Sequence, residues 1–175
     1  MCFEYEESDH VDSSLIGSIK ILFRSSFMSE RQQYYDRRAK AVRAPNKYLS
    51  TIGDGMAQLH NMLPHLGASG STLCPQFDTH LQGIIVHGKR FTVYRHFENV
   101  PKGTNVALHA WLSELYKEYI DRNRRLPEEL FHQMDGGNEN ANAVTIAMAE
   151  LLVHRGLTTK ITLTRLPAGH THEGK

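Results

Sequence analysis

After Ala44-Pro45 the chain changes hydrophobic period repeatedly, and this constrains its fold more than any other feature. Apolar or alternating runs of strand length stand at residues 48–52, 81–87, 91–97, 130–134 and 160–166, each with glycine or proline nearby. Gly88-Lys89 joins the second run to the third, which predicts a β-hairpin. Helical spacing separates the later runs. From Thr104 or Asn105 as cap to about Ile120, Leu108, Trp111, Leu112, Leu115 and Tyr119 share one face. Over residues 140–155, Val144, Ala147, Met148, Leu151 and Leu152 are expected inward, with Gly156 as the stop. Strands alternating with helices require parallel pairing, and a hairpin requires antiparallel pairing. The expected fold is therefore α/β, a mixed sheet covered by helices.

Residues 14–43 contain no proline, and their only glycine is Gly17. Leu15, Ile19, Leu22 and Phe23 recur at helical spacing behind Ser13 or Ser14 as N-cap, so one long helix or two precedes the sheet. It ends before Pro45, whose ring disfavours α geometry in the preceding residue. Residues 56–79 are irregular, with Pro64, Gly67, Gly70 and Pro75, and are long for a plain connection; this favours a functional or inserted segment.

The 175 residues suit one domain with an arm. A formal charge of +1 excludes a uniformly basic coat protein, yet it conceals a cancellation. Residues 1–12 hold five acids and no Lys or Arg, whereas residues 17–47 hold eight bases against two acids, a net of +6. Arg31, Arg37, Arg38, Lys40, Arg43 and Lys47 are the candidates for tracking a phosphate backbone; a solvated helix face is the plainer reading. The division expected is an acidic arm (1–13), a basic helical region (14–46) and a domain over 47–175. Cys2 and Cys74 are too few for a disulfide framework, which points to a reducing, intracellular setting in nucleus or cytoplasm. No apolar run approaches the ~20 residues of a membrane span, and the acidic start lacks the basic leader of a signal peptide.

Three acids share a position. Asp54 follows the first predicted strand, Asp135 the fourth, and Glu173 trails the fifth by a few residues. Sites in sheets with parallel strands form beyond those carboxyl ends. Glycines flank both aspartates, in Gly53-Asp54-Gly55 and Asp135-Gly136-Gly137, and permit close approach of a backbone or phosphate. Taken singly, each Asp-Gly reads as a turn; the coincidence of three carries the functional reading. Converging carboxylates repel one another and require a cation. Hard oxygen ligands suit Mg²⁺ or Mn²⁺, and two such ions can clamp the attacking and leaving oxygens of a phosphodiester.

The eleven histidines support a competing zinc reading. His170, His172 and Glu173 offer three ligands, but nothing in the spacing of His60, His65, His80 or His87 selects a fourth. His87 and His96 fall within strands and read as core or surface residues. Asn138, Glu139, Asn140 and Asn142 crowd a helix start, where Asn caps and Glu favours the positive end. No P-loop, nucleophile elbow or dinucleotide fingerprint is present.

Several segments together resemble a known family: Arg31, Tyr34-Tyr35, Ala41 and Pro45 leading to Ser50-Thr51-Ile52-Gly53-Asp54-Gly55-Met56-Ala57-Gln58; then Leu81-Gln82-Gly83-Ile84-Ile85-Val86-His87-Gly88; then Met134-Asp135-Gly136-Gly137-Asn138-Glu139-Asn140; then Leu166-Pro167-Ala168-Gly169-His170-Thr171-His172-Glu173. They resemble the integrase-like or transposase-like domain of transposon-derived eukaryotic proteins, of the ribonuclease-H-like superfamily. The resemblance spans residues 31–173. It implies a five-stranded mixed sheet in the order β, β, β, α, β, α, β with helices on both faces, and a further closing helix. It implies metal-dependent phosphodiester cleavage or strand transfer, with Asp54, Asp135 and Glu173 holding Mg²⁺ or Mn²⁺, DNA as partner, and multimers as the working form. Ala57 stands where the family often has Asp, and the chain reads Gly174-Lys175 where the family continues with Asp and a helix. The expected domain thus lacks its final helix or is completed by a partner chain. The alternative expectation is a catalytically inactive, domesticated or decayed remnant that binds DNA or protein.

Overall fold

In the computed structural model, residues 13–55, 77–97, 99–100, 103–134 and 142–165 are described. They form α1 (Ser13–Arg43), β1 (Tyr48–Gly55), β2 (Thr79–Val86), β3 (Arg90–Phe97), α2 (Thr104–Asp121), β4 (Glu129–Met134), α3 (Ala143–His154) and β5 (Lys160–Arg165). The fold is α/β, with one mixed five-stranded sheet in the order β3-β2-β1-β4-β5. β1 pairs antiparallel with β2, and β2 antiparallel with β3. β1 pairs parallel with β4, and β4 parallel with β5. The hairpin and the crossovers therefore divide the sheet into an antiparallel and a parallel half, which meet at β1.

Side-chain alternation assigns the helices to faces. On one face, Leu49, Ile84, Val86 and Leu130 pack with Leu108, Trp111 and Leu115 of α2 and Ala149 of α3. Trp111 lies flat on His132, with ring centroids 4.5 Å apart. Phe131, one residue before His132, points to the opposite face and meets α1, where the Arg37 guanidinium lies 5.8 Å from its ring centroid. α1 is also tied down by His87. The Tyr34 hydroxyl stands 2.8 Å from His87 Nε2, and His87 Nδ1 lies 3.1 Å from the Ser50 carbonyl oxygen. A neutral imidazole satisfies both contacts by accepting at Nε2 and donating at Nδ1.

Several expectations are corrected. Of the two alternatives for the region before the sheet, one long helix is the one found. β1 continues through Gly55, so Asp54 sits inside the end of the strand and not beyond it. His87 leaves the strand for the turn, which is closed by a bond from Lys89 N–H to the Val86 carbonyl. Gly88, at φ 76°, occupies the position where a type II turn needs glycine. Neither Thr104 nor Asn105 caps α2: Gly103 is the N-cap and no side chain accepts there.

The inward face of α3 is displaced from the one expected. Thr145 and Ala149 are its buried residues, Met148 and Leu152 pack beside the core, and Val144, Ala147 and Leu151 are exposed. This helix is apolar nearly all round, so its periodicity could not select the face that meets β5. Leu108, Trp111 and Leu115 of α2 are buried as expected. Among the described residues no helix is long and apolar enough to cross a membrane.

Candidate functional site

β1, β4 and β5 run parallel, so their carboxyl ends lie together. Gly53 is the register partner of Met134, and Met134 of Arg165, which places the three residues in one row. Asp54 follows the first of these directly, and Asp135 follows the second. Asp54 is half-buried and faces away from α2, because the position of Gly53 faces towards it. Asp135 and Glu173 lie outside the described residues, as do His170, His172, His60 and His65. Among the described residues, no group of three or more His, Cys, Asp or Glu could hold a metal ion.

Beneath Asp54 the backbone is closely packed. A Cβ on Gly53 would stand 2.9 Å from Cδ1 of the buried Ile84 and 3.4 Å from Cε1 of His132. A side chain at 53 would have to displace the end of the buried Ile84 side chain, so glycine lets the strand that presents Asp54 pack closely over it. Burial pushes His132 down to about 3, so the ring is neutral. Its Nδ1 lies 2.9 Å from the Thr51 hydroxyl. Thr51, Gly53 and His132 support the carboxyl end of β1 without carrying charge there.

The same end of the sheet gathers the starts of two helices. The Asn142 side chain accepts from the backbone N–H groups of Val144 and Thr145, at 3.0 and 3.1 Å, and so caps α3. Its amide also donates to the Thr104 hydroxyl at 2.5 Å, joining the first turns of α2 and α3. The expectation of an Asn cap here is met by Asn142; Asn138, Glu139 and Asn140 lie outside the described residues.

All six candidate DNA-binding cations remain at the surface of α1 and its exit. Arg38, Lys40, Arg43 and Lys47 are exposed, while Arg31 and Arg37 are half-buried. Arg31 donates to the Tyr35 hydroxyl at 3.3 Å, and Lys47 lies 5.6 Å from the Tyr48 ring centroid. Arg37, Lys40 and Arg43 recur every third residue, a row that winds about a third of the way around the helix from Arg37 against Phe131 to the exposed Arg43. The helix thus carries a basic ridge on the face of the sheet to which Asp54 points.

Sequence reasoning missed a second acidic cluster. Glu114 and Glu118 of α2 are fully buried against β3 and the hairpin turn. Glu114 accepts from Arg90 Nε at 2.6 Å, Lys117 Nζ at 2.6 Å and the Tyr94 hydroxyl at 2.7 Å. Glu118 accepts from Lys89 and, at 3.0 Å, from Arg122 Nε, with Arg90 Nη1 3.1 Å away. Burial alone would raise the Glu114 carboxyl; the bonds from Lys117, Tyr94 and Arg90 outweigh it and bring it to about 2. Glu118 is likewise raised by burial and lowered, on balance, by Lys89 and Arg122. The signal was present: both glutamates fall on the helical face of Trp111 and Leu115, opposite the Lys89-Arg90 pair of the hairpin. With its acids matched by cations, this cluster reads as a clamp between hairpin and helix.

One family model matches the chain, over residues 71–174: a domain of unknown function, DUF7869. The match begins after β1 and takes in β2 to β5. No curated protein and no solved structure matches the chain.

Proposed function

The chain belongs to the DUF7869 family, whose description states no activity, and from its residues we propose a ribonuclease-H-like nucleic-acid-processing domain of transposase or integrase type. The observation that carries this reading is the parallel register of β1 and β4, in which Gly53 and Met134, the residues before Asp54 and Asp135, are partners. Two aspartates that follow register partners at neighbouring carboxyl ends begin a site for hard cations. The element order, the mixed sheet and the helices on both faces also accord with the resemblance drawn from the motifs.

Asp54 and Asp135 would hold Mg²⁺ or Mn²⁺, with Glu173 as third ligand. The fit rests on Asp54, a hard, half-buried carboxylate on a strand end that Gly53 and Ile84 lock in place. Such ions, when bound, would supply Lewis-acid activation of a nucleophile and neutralisation of the charge that develops at the phosphodiester. The residues of the chain orient that chemistry. β1 holds Asp54 at a fixed height, and the basic ridge of α1 binds the backbone of DNA through counterion release.

The test is Mn²⁺ titration by calorimetry together with metal-dependent nicking of supercoiled DNA. Asp54→Asn is expected to abolish both while leaving the circular dichroism unchanged. Full nicking by that variant would overturn the site. Absence of both Mn²⁺ binding and nicking in the parent chain would instead mark a domain that binds without catalysis.

A further inference from the structure

The side chains of β3 divide by parity. Arg90 and Tyr94 turn to Glu114 on α2, so Phe91, Val93, Arg95 and Phe97 project from the other face. That face is open: Phe91 is 64 % exposed, Val93 49 % and Phe97 49 %, and Ile85, the register partner of Phe91 on β2, is 37 % exposed. The surface between them is flat. A Cβ on Gly83 would stand 3.1 Å from Phe91 Cε2, so the Phe91 ring lies down against the glycine backbone. Gly83 is also the register partner of Asp54. One row therefore runs from the candidate site, through Gly83, to Val93.

The only ionisable group that the outward positions of β2 and β3 contribute is Arg95, whose guanidinium lies 4.9 Å from the Phe97 ring centroid. α1, with its basic ridge, is packed on the same side of the sheet. Exposed flat rings interleaved with cations suit a polyanion that carries aromatic groups of its own. A second copy of this chain would bring a second basic α1 towards the first. An apolar protein partner would bury Arg95 without an acid to meet it.

We propose that the outward face of the β2–β3 hairpin is a stacking platform for single-stranded nucleic acid, with Phe91 and Phe97 under the bases and Arg95 at the backbone. The two residues are six apart on one strand, roughly 20 Å, and so take bases about three nucleotides apart along an extended strand. This rests on the reading of the chain as a nucleic-acid-processing domain and adds the form of the substrate: melted or single-stranded next to the reacting phosphate.

The probe is a dye-labelled oligothymidylate of about twelve nucleotides, a length within reach of such surfaces, measured by fluorescence anisotropy with the full chain beside a duplex of equal length. Phe91→Ala and Phe97→Ala are each expected to lower single-strand affinity roughly fivefold to a hundredfold, with duplex affinity unchanged. Phe91→Tyr and Phe97→Tyr, which keep the rings, should retain binding. Equal single-strand affinity in parent and alanine variants would overturn the platform. So would loss of a dimer in sedimentation on the same substitutions, which would make the face an interface between copies.

The nicking assay separates the two proposals. Binding that depends on the phenylalanines, without nicking by the parent, keeps the platform and rejects the catalytic reading. Nicking that depends on Asp54, with binding indifferent to Phe91 and Phe97, does the reverse.

Discussion

Two regions of this molecule use carboxylates in opposite ways. Between α2 and β3, Glu114 and Glu118 are fully buried, and the cations of Lys89, Arg90, Lys117 and Arg122 close around them. At the carboxyl end of β1, Asp54 stays half-buried on a strand whose inner neighbour is a closely packed glycine. A carboxylate withdrawn from water and matched by several cations serves the fold, because its removal strands those cations. A carboxylate at the end of a strand, in a row with the ends of parallel strands, is where the proposed site would meet a cation from outside. Position in the fold, more than residue type, separates the structural acids from the proposed ligand.

The contrast is broken most directly at Glu118. Glu118→Ala leaves Lys89, Arg90 and Arg122 without their shared acid and is expected to lower unfolding stability by about 3 kcal/mol in urea titration. A loss below about 1 kcal/mol, the scale of surface pairs, would remove the distinction.

Acid titration examines the same clamp without mutation. Glu114 falls from its ordinary 4.5 to about 2 in the folded chain, so between those values the unfolded chain binds more protons. The stability it contributes is complete above about 4.5 and is lost as pH falls towards about 2. His132, at about 3 instead of 6.5, acts with the same sign over a higher window. Urea midpoints should therefore decline from near pH 6.5 and steepen below 4.5; a flat profile from pH 7 to pH 3 would contradict both assignments.

At the other region, Gly53→Ala forces a methyl against Ile84 Cδ1, within a contact of 2.9 Å, and is expected to cost about 1–3 kcal/mol. Asn142→Ala removes the cap of α3 and the tie to Thr104, for about 1 kcal/mol and a lower melting temperature. Asp54→Asn, which keeps the size of the side chain and one of its carbonyl-type oxygens, should change stability by no more than about 1 kcal/mol. A larger loss would move Asp54 into the class of Glu118.

Much of this architecture was legible in the residues. Period changes and turn residues located every described strand and helix, because strand alternation and the Gly88 turn are local signals. The Asp-Gly pairs drew attention to the carboxyl end of β1. What was not legible depended on packing between distant elements. Glu114 and Glu118 share the helical face of Trp111 and Leu115, but the landing of the Lys89-Arg90 turn on them depends on tertiary packing, and the face of α3 is undetermined while nearly all its residues are apolar. The boundary of β1 shifted because glycine at 53 and 55 suggested a turn, whereas the ladder to β2 continues to Gly55.

The place of β1 in the sheet bears on how the chain can be divided. It is the central strand, bonded to β2 on one side and β4 on the other. The stretch that matches the family model, residues 71–174, starts after it. That stretch alone would part into the pairs β2–β3 and β4–β5, each with a long open edge of unmet backbone donors and acceptors, a template for aggregation. The cooperative unit must therefore include β1, and a polypeptide started at residue 71 should precipitate where the longer one folds.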